Sequence, residues 1–178
     1  IVAQFHAGSP SGEEPASRTY GAYLALVYAA AIFGGYVADK ILGYQRSILL
    51  GAVIMAAGLF AIAVPDARIF EFGLATIIVG NGLFKPNTGN IVRKIYEGDD
   101  SKIDSAFTMY YMAVNLGSMI SMTLTPWIRD YVGERYGEAA GWHTAFGVCS
   151  IGLLLGLLNY ALMRRTLRGG GVVDGRNL

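Results

Sequence analysis

One lysine interrupts a long uncharged stretch of the chain. Lys85 lies 14 residues after Glu71 and eight residues before Arg93, and the rest of that stretch carries no formal charge. A lysine near the centre of a bilayer costs on the order of 3 kcal/mol or more, so it faces the protein interior and finds a partner. The residues one helical turn away are small or polar, namely Asn81, Gly82, Thr88 and Gly89. This stripe indicates a water-accessible cavity in which the ammonium group binds an anionic ligand.

Pro86 follows this lysine directly. Because proline has no N–H, it cannot donate to the carbonyl of Gly82, and we expect a kink in the helix at this point. A kink beside a buried charge is typical of a segment that moves or lines a ligand site. The alternative is that Lys85 forms only a structural ion pair with a helix that precedes this chain.

A second polar side chain lies on an aromatic helix face. Asn115 must hydrogen-bond to something if it is buried in hydrocarbon, either another helix or an amide group of a substrate. Tyr28 lies midway between Arg18 and Asp39, and its hydroxyl group either reaches the same cavity or only packs. The face of Asn115 has spacings of four, four, three and four residues and comprises Phe107, Tyr111, Asn115, Ser118 and Met122.

An acid, a glycine and a base follow one another where the first charge-free stretch ends. Gly43 permits a tight reversal of the chain, and Asp39 and Arg46 can make the polar contacts that hold a cytoplasmic gate. As a bare pattern, the same residues fit a solvated turn.

Long charge-free stretches show which elements position these residues. Hydrophobic residues make up 53% of the 178 and charged residues 15%. A bilayer core of about 30 Å needs roughly 20 helical residues, and the stretch 48–55 shows no alternation typical of membrane strands. The sequence therefore predicts an all-α membrane protein with five transmembrane helices, in the stretches between charges at 18–39, 46–66, 71–93, 104–129 and 138–164.

The distribution of basic residues predicts the orientation of these helices. Nine Lys and Arg residues fall on one side, which includes the loops at 39–46 and 93–104 and the end of the chain, and four fall on the other. The richer side is expected to be cytoplasmic. We expect residues 1–5 to be the end of a preceding helix, residues 1–168 to form one transmembrane bundle, and residues 169–178 to be a cytoplasmic linker toward a further bundle.

Several classes of protein do not fit the composition. A net charge of +1 without an Arg-rich tract does not favour a nucleic-acid binder. A single cysteine, Cys149, excludes an internal disulfide and a cysteine-based metal site, and no metal or cofactor is expected. His6 and His143 have no nucleophile spaced to work with them, so the sequence does not indicate an enzyme.

Three motifs, in order along the chain, resemble those of one family. The stretch 34–43, GGYVADKILG, is similar to the loop motif between the second and third helices of the major facilitator superfamily. The four-residue step from Asp39 to Gly43 resembles the proton-coupled oligopeptide transporters within it. The stretches 80–87, GNGLFKPN, and 107–118, ending VNLGS, resemble that family's fourth- and fifth-helix motifs.

The resemblance implies a fold and a role for single residues. The chain would be the N-terminal six-helix bundle of such a transporter, lacking most of the first helix. Lys85 is similar to the family's fourth-helix lysine, which binds the carboxyl end of the peptide and couples to protons through a first-helix motif. Asn115, Tyr28 and Tyr111 would line the peptide site. Asp39, Gly35, Gly43 and Arg46 would belong to the gate.

The implied activity is symport of di- and tripeptides with protons across the bacterial inner membrane by alternating access. Its partners would be peptides, protons, the lipid bilayer and the C-terminal bundle of the same protein, with no nucleic acid. Two alternatives stay open at this point. The first is a facilitator for nitrate, sugars or drugs, and the second is a non-transporting membrane subunit whose polar residues only join helices.

Overall fold

The computed structural model describes residues 13–64 and 66–163, and all the regular elements in that part are helical. Residues 1–5 and 169–178, for which the sequence predicts a helix end and a linker, lie outside it. The five long helices occupy the predicted charge-free stretches and extend beyond most of them. The elements are α1, Glu13–Val37; a π-helical turn, Ala38–Leu42; α2, Tyr44–Ile62; α3, Ala67–Ile95; α4, Asp100–Tyr136; and α5, Glu138–Met163.

Acidic residues begin two of the helices. The Asp66 side chain accepts hydrogen bonds from the backbone N–H groups of Arg68, at 2.9 Å, and Ile69, at 3.1 Å, and so caps α3. Asp99 caps α4 by accepting from the N–H of Lys102, whose ammonium group lies 2.8 Å from the same carboxylate. These hydrogen bonds, first that of the Lys102 side chain, lower the pKa of Asp99 below its ordinary value. The pair is exposed, so it fixes where the helix begins more than it stabilises the fold.

α3 is the central helix and packs along both α1 and α2. Glycines allow these backbones to approach, as is usual where lipid provides no hydrophobic force between helices. A Cβ on Gly34 would collide with the carbonyl of Gly82, and one on Gly51 would lie 2.6 Å from the carbonyl oxygen of Gly80. Gly34 and Gly51 are therefore packing residues. Other small residues in the spans would meet no described atom within 4 Å of an added Cβ; they are Gly35, Gly117, Gly152 and Gly156.

α4 is placed differently from α1, α2 and α3. It packs on α5, which in turn packs on α2, and α4 meets α3 only along a short stretch. None of the described side chains of α4 is buried. α4 therefore lies apart from α3 over most of its length. The predicted substrate-binding residues lie on α1, α3 and α4.

Three of the helical segments are long and apolar enough to cross a membrane by composition alone, and they are Ser17–Leu42, Tyr44–Ile62 and Glu138–Met163. The other two predicted spans, α3 and α4, have 29 and 37 residues, so their length suffices for a core of about 30 Å. Polar residues lower their hydropathy. Those two helices carry Lys85 and Asn115. The chain is a multi-pass helical membrane protein whose two least apolar spans carry the candidate lysine and the candidate amide.

Candidate functional site

Lys85 lies on the open side of α3, next to α1. Its ammonium nitrogen is 5.4 Å from the ring centroid of Tyr28, within the range of a cation–π contact. Both side chains are exposed, Tyr28 by 66%. No carboxylate in residues 13–64 and 66–163 forms an ion pair with Lys85. The ammonium group is thus available to an anion from outside these helices, whether a ligand or an acid on another part of the protein.

The small residues around Lys85 differ from the predicted open stripe. Gly82 is buried against Ala30 of α1, whose carbonyl oxygen would lie 2.6 Å from an added Cβ. Gly89 lies against the ring of Phe107 on α4, 3.8 Å away. The two glycines are seven residues apart, about two turns along the same side of α3, and contact different helices. Lys85 lies between them along the helix. Of the four neighbours in the predicted stripe, Gly82 serves helix packing, which is the usual role of a small residue within a span.

α3 continues as one helix through Pro86. The Gly82 carbonyl, which receives no N–H from Pro86, faces the glycine surface of α1 at Gly34. The next residue, Asn87, is fully buried, and its side-chain amide donates to the carbonyl of Leu83 at 2.7 Å and to that of Gly34 at 3.4 Å. Asn87 thus joins α1 to α3 within one turn of Lys85, a contact that the sequence analysis missed.

The candidate residues of α4 lie on an open face. Asn115 is exposed and has no hydrogen-bond partner in the described part of the chain. Tyr111 is 59% exposed and lies in an aromatic group, 6.3 Å from Phe107 and 5.5 Å from Tyr110 between ring centroids. A role for Asn115 in joining these five helices to one another is therefore not supported, whereas an exposed amide can bind a peptide group.

The predicted gate is a π-helical turn. Gly43 has a φ of 77°, which favours glycine, and its N–H donates to the carbonyl of Ala38 at 2.8 Å. Asp39 is exposed and lies close to the hydroxyl of Tyr44. Arg46 is also exposed, and the two charges form no ion pair with each other. The turn leaves both side chains available to a surface outside this bundle.

The candidate residues therefore fall into three groups. Lys85 and Tyr28 are in contact across α3 and α1, while Asn115 and Tyr111 face outward from α4. Of the gate residues, Gly35 lies in the last turn of α1, Asp39 in the π-helical turn, Gly43 directly after that turn, and Arg46 in the first turn of α2. The described residues contain no cluster of three or more His, Cys, Asp or Glu side chains that could hold a metal ion.

Comparison with known proteins identifies the family. The model of the POT family matches residues 45–172, which is most of the chain. The chain belongs to the POT family. This membership confirms the resemblance to that family and, with it, the all-α major facilitator fold. The second and third motifs lie within the matched residues, and the first, at 34–43, precedes them.

Similar proteins include the dipeptide and tripeptide permease A of Erwinia pyrifoliae, 42% identical over 154 residues that cover 85% of this chain and 30% of the permease. Among solved structures, tetrameric PepTSo2 has a TM-score of 0.83 at 53% identity and covers 90% of this chain and 35% of that protein. A bacterial homologue of the human drug peptide transporters PepT1 and PepT2 has a TM-score of 0.78 at 56% identity, covering 84% and 32%. The chain spans about a third of the length of these relatives.

Proposed function

We propose that the full-length protein containing this chain is a secondary transporter that moves di- and tripeptides together with protons across the bacterial inner membrane. The observation that carries the proposal is the Lys85 ammonium group. It is exposed beside Tyr28 and has no carboxylate partner in the described helices. Membership of the POT family and similarity to peptide permeases support a peptide as the anion.

The chemistry of the two groups suits short peptides. A di- or tripeptide has a carboxylate, a protonated amine and amide groups, whatever its side chains are. Lys85 supplies a fixed cation for the carboxylate, and Asn115 supplies both a donor and an acceptor for an amide. Because both bind groups that every peptide has, the site tolerates many sequences. Transport then requires the C-terminal bundle, which completes the site and rocks against this one.

The placement in the cell follows from the same proposal. The loops at 39–46 and 93–104 and the linker face the cytoplasm, and the gate at Asp39 contacts the other bundle there. The activity is transport rather than catalysis.

The proposed peptide transport is tested by uptake of a labelled dipeptide into proteoliposomes. A proton gradient drives the uptake, and nitrate, sugars and drugs are added as competitors. Uptake that these solutes suppress and peptides do not would overturn the peptide assignment.

Replacing Asn115 with alanine in the full-length protein is expected to weaken dipeptide affinity by about 2- to 10-fold and to leave the thermal unfolding midpoint unchanged. The amide is exposed and bonds to no described residue. Its removal is therefore expected to weaken peptide binding without lowering the stability of the fold. Titration calorimetry and thermal unfolding measure the two effects. Thr123→Val is the control, because that hydroxyl bonds only the Met119 carbonyl of its own helix, at 3.0 Å. Lost stability with unchanged affinity would favour the helix-joining role.

Asp39→Asn is expected to slow transport about tenfold while peptide affinity stays the same. The Asp39 carboxylate lies in the exposed π-helical turn that follows α1, away from Tyr28. It is therefore expected to act on the opening of the gate and not on peptide binding. Transport rates and equilibrium binding are compared for this variant and for Lys40→Gln, an exposed neighbour in the same turn. A transport rate equal to that of the unmodified protein would remove Asp39 from the gate.

A further inference from the structure

α3 and α4 are joined by a short chain of hydrogen bonds beside Lys85. The hydroxyl of Thr88 donates to the backbone carbonyl of Lys85 at 2.8 Å. The same oxygen lies 3.0 Å from the hydroxyl oxygen of Tyr110 on α4. Since the only hydrogen of the Thr88 hydroxyl is used on Lys85, Tyr110 is the donor in the second bond. A side chain of α4 is thus connected to the main chain of Lys85 itself.

This connection lies where the two helices meet. Thr88 and Tyr110 are both half-buried. One residue further along α3, a Cβ added at Gly89 would lie 3.8 Å from the ring of Phe107. Elsewhere α4 has little contact with α3, and its described side chains are not buried. The Thr88–Tyr110 bond and the Phe107 contact therefore join α4 directly to α3 beside Lys85 and hold the two helices together there.

That separation matters for a ligand held by both helices. Under the function proposed above, α3 presents Lys85 to the peptide carboxylate, and α4 presents Asn115 and Tyr111 to the rest of the peptide. Tyr110 precedes Tyr111 directly, so a shift of one moves the other. An extra peptide residue adds about 3.3–3.6 Å to an extended ligand. A site with a fixed distance between its two binding helices therefore favours one peptide length over the other.

We propose that Tyr110 and Thr88 are positioning residues that fix the distance between α3 and α4 and thereby set the preference of the site for dipeptides or tripeptides. Neither side chain needs to touch the peptide. Without the bond, α4 is free to shift relative to α3, and the preference is reduced. The inference rests on the proposed peptide transport. Its further claim concerns the preference for one peptide length, which a demonstration of transport alone does not test.

The test uses Tyr110→Phe, Thr88→Val and the double variant in the full-length protein, reconstituted in proteoliposomes. The KM and the maximal rate of proton-driven uptake are measured for dialanine and trialanine. Each single variant is expected to change the ratio of the two KM values about 2- to 10-fold toward one, with little change in maximal rate. The double variant is expected to equal the singles, because both remove the same bond. Thr88→Ser keeps the hydroxyl and is expected to restore the original ratio.

Matched controls separate this bond from a general loss of hydroxyl groups. Thr76→Val removes a hydroxyl of α3 that bonds only the Phe72 carbonyl of the same helix, at 2.8 Å. Tyr131→Phe removes a hydroxyl from the outer part of α4, where the ring stacks on Trp127 at 5.5 Å. Neither is expected to change the KM ratio.

Several outcomes would overturn the inference. These are an unchanged KM ratio in both single variants, equal changes for both peptides, effects that multiply in the double variant, or no recovery in Thr88→Ser. If Tyr110→Phe does not fold, the comparison of Thr88→Val with Thr88→Ser decides alone. Absence of uptake of either peptide by the unmodified protein would instead overturn the proposed function, so the two failures are distinguishable.

Discussion

Lys85→Ala in the full-length protein is expected to abolish proton-driven dipeptide uptake in proteoliposomes. The ammonium group is the cation proposed to bind the peptide carboxylate, and no other basic side chain of the described residues lies on the open side of α3 within two turns of it. A hydrogen bond to a charged group contributes about 1.5–3 kcal/mol, which is about 10- to 150-fold in affinity. The loss of coupling to protons would add to this reduction.

Two further variants show whether the charge or the shape of Lys85 is needed. Lys85→Arg keeps the charge but places a planar group against the ring of Tyr28 and does not release its proton, so binding is expected without efficient proton-coupled cycling. Lys102→Ala removes an exposed lysine that pairs with Asp99 and is expected to transport normally. Normal uptake by Lys85→Ala would remove the central residue of the proposal, and defective uptake by Lys102→Ala would show that the assay responds to any lost lysine.

The positions of the helices could be predicted because charges are costly in a membrane. The charge-free stretch from Arg46 to Asp66 contains α2 almost completely, and Asp66 itself caps α3. The reversal at Gly43 was likewise predicted, but its π-helical form was not. A glycine shows where the chain turns, whereas the hydrogen-bond pattern before it depends on how α1 and α2 are packed.

The candidate site was predicted less completely than the fold. Spacing along one helix identified Lys85 and Asn115, since it shows which residues share a face. It does not show which helix that face meets, so the spacing around Lys85 does not indicate that Gly82 packs against α1. The bonds of Asn87 to Gly34 and of Thr88 to Tyr110 join residues 53 and 22 positions apart. Such pairs are determined by tertiary packing, and no pattern within a single span indicates them.

The crossing of α1 and α3 supports the Lys85–Tyr28 contact, and it depends on Gly34. A methyl group there would collide with the carbonyl of Gly82 and with the backbone of Leu83, neither of which is the end of a movable side chain. The helices would have to separate, which would also stretch the 3.4 Å bond from Asn87 to the Gly34 carbonyl. We therefore expect Gly34→Ala to lower the free energy of unfolding by about 1–3 kcal/mol.

Gly21→Ala is the matched control, because it makes the same substitution in the same helix where an added Cβ meets nothing within 4 Å. Alanine favours a helix over glycine by about 0.5–1 kcal/mol, so this variant is expected to be as stable as the unmodified protein or more stable. Thermal unfolding of both full-length variants in detergent, followed by tryptophan fluorescence, compares them. The unfolding midpoint is expected to fall in Gly34→Ala and to stay the same or rise in Gly21→Ala. If Gly34→Ala also raised the unfolding midpoint, α1 and α3 would not approach as closely as described, and the contact between Tyr28 and Lys85 would lose its support.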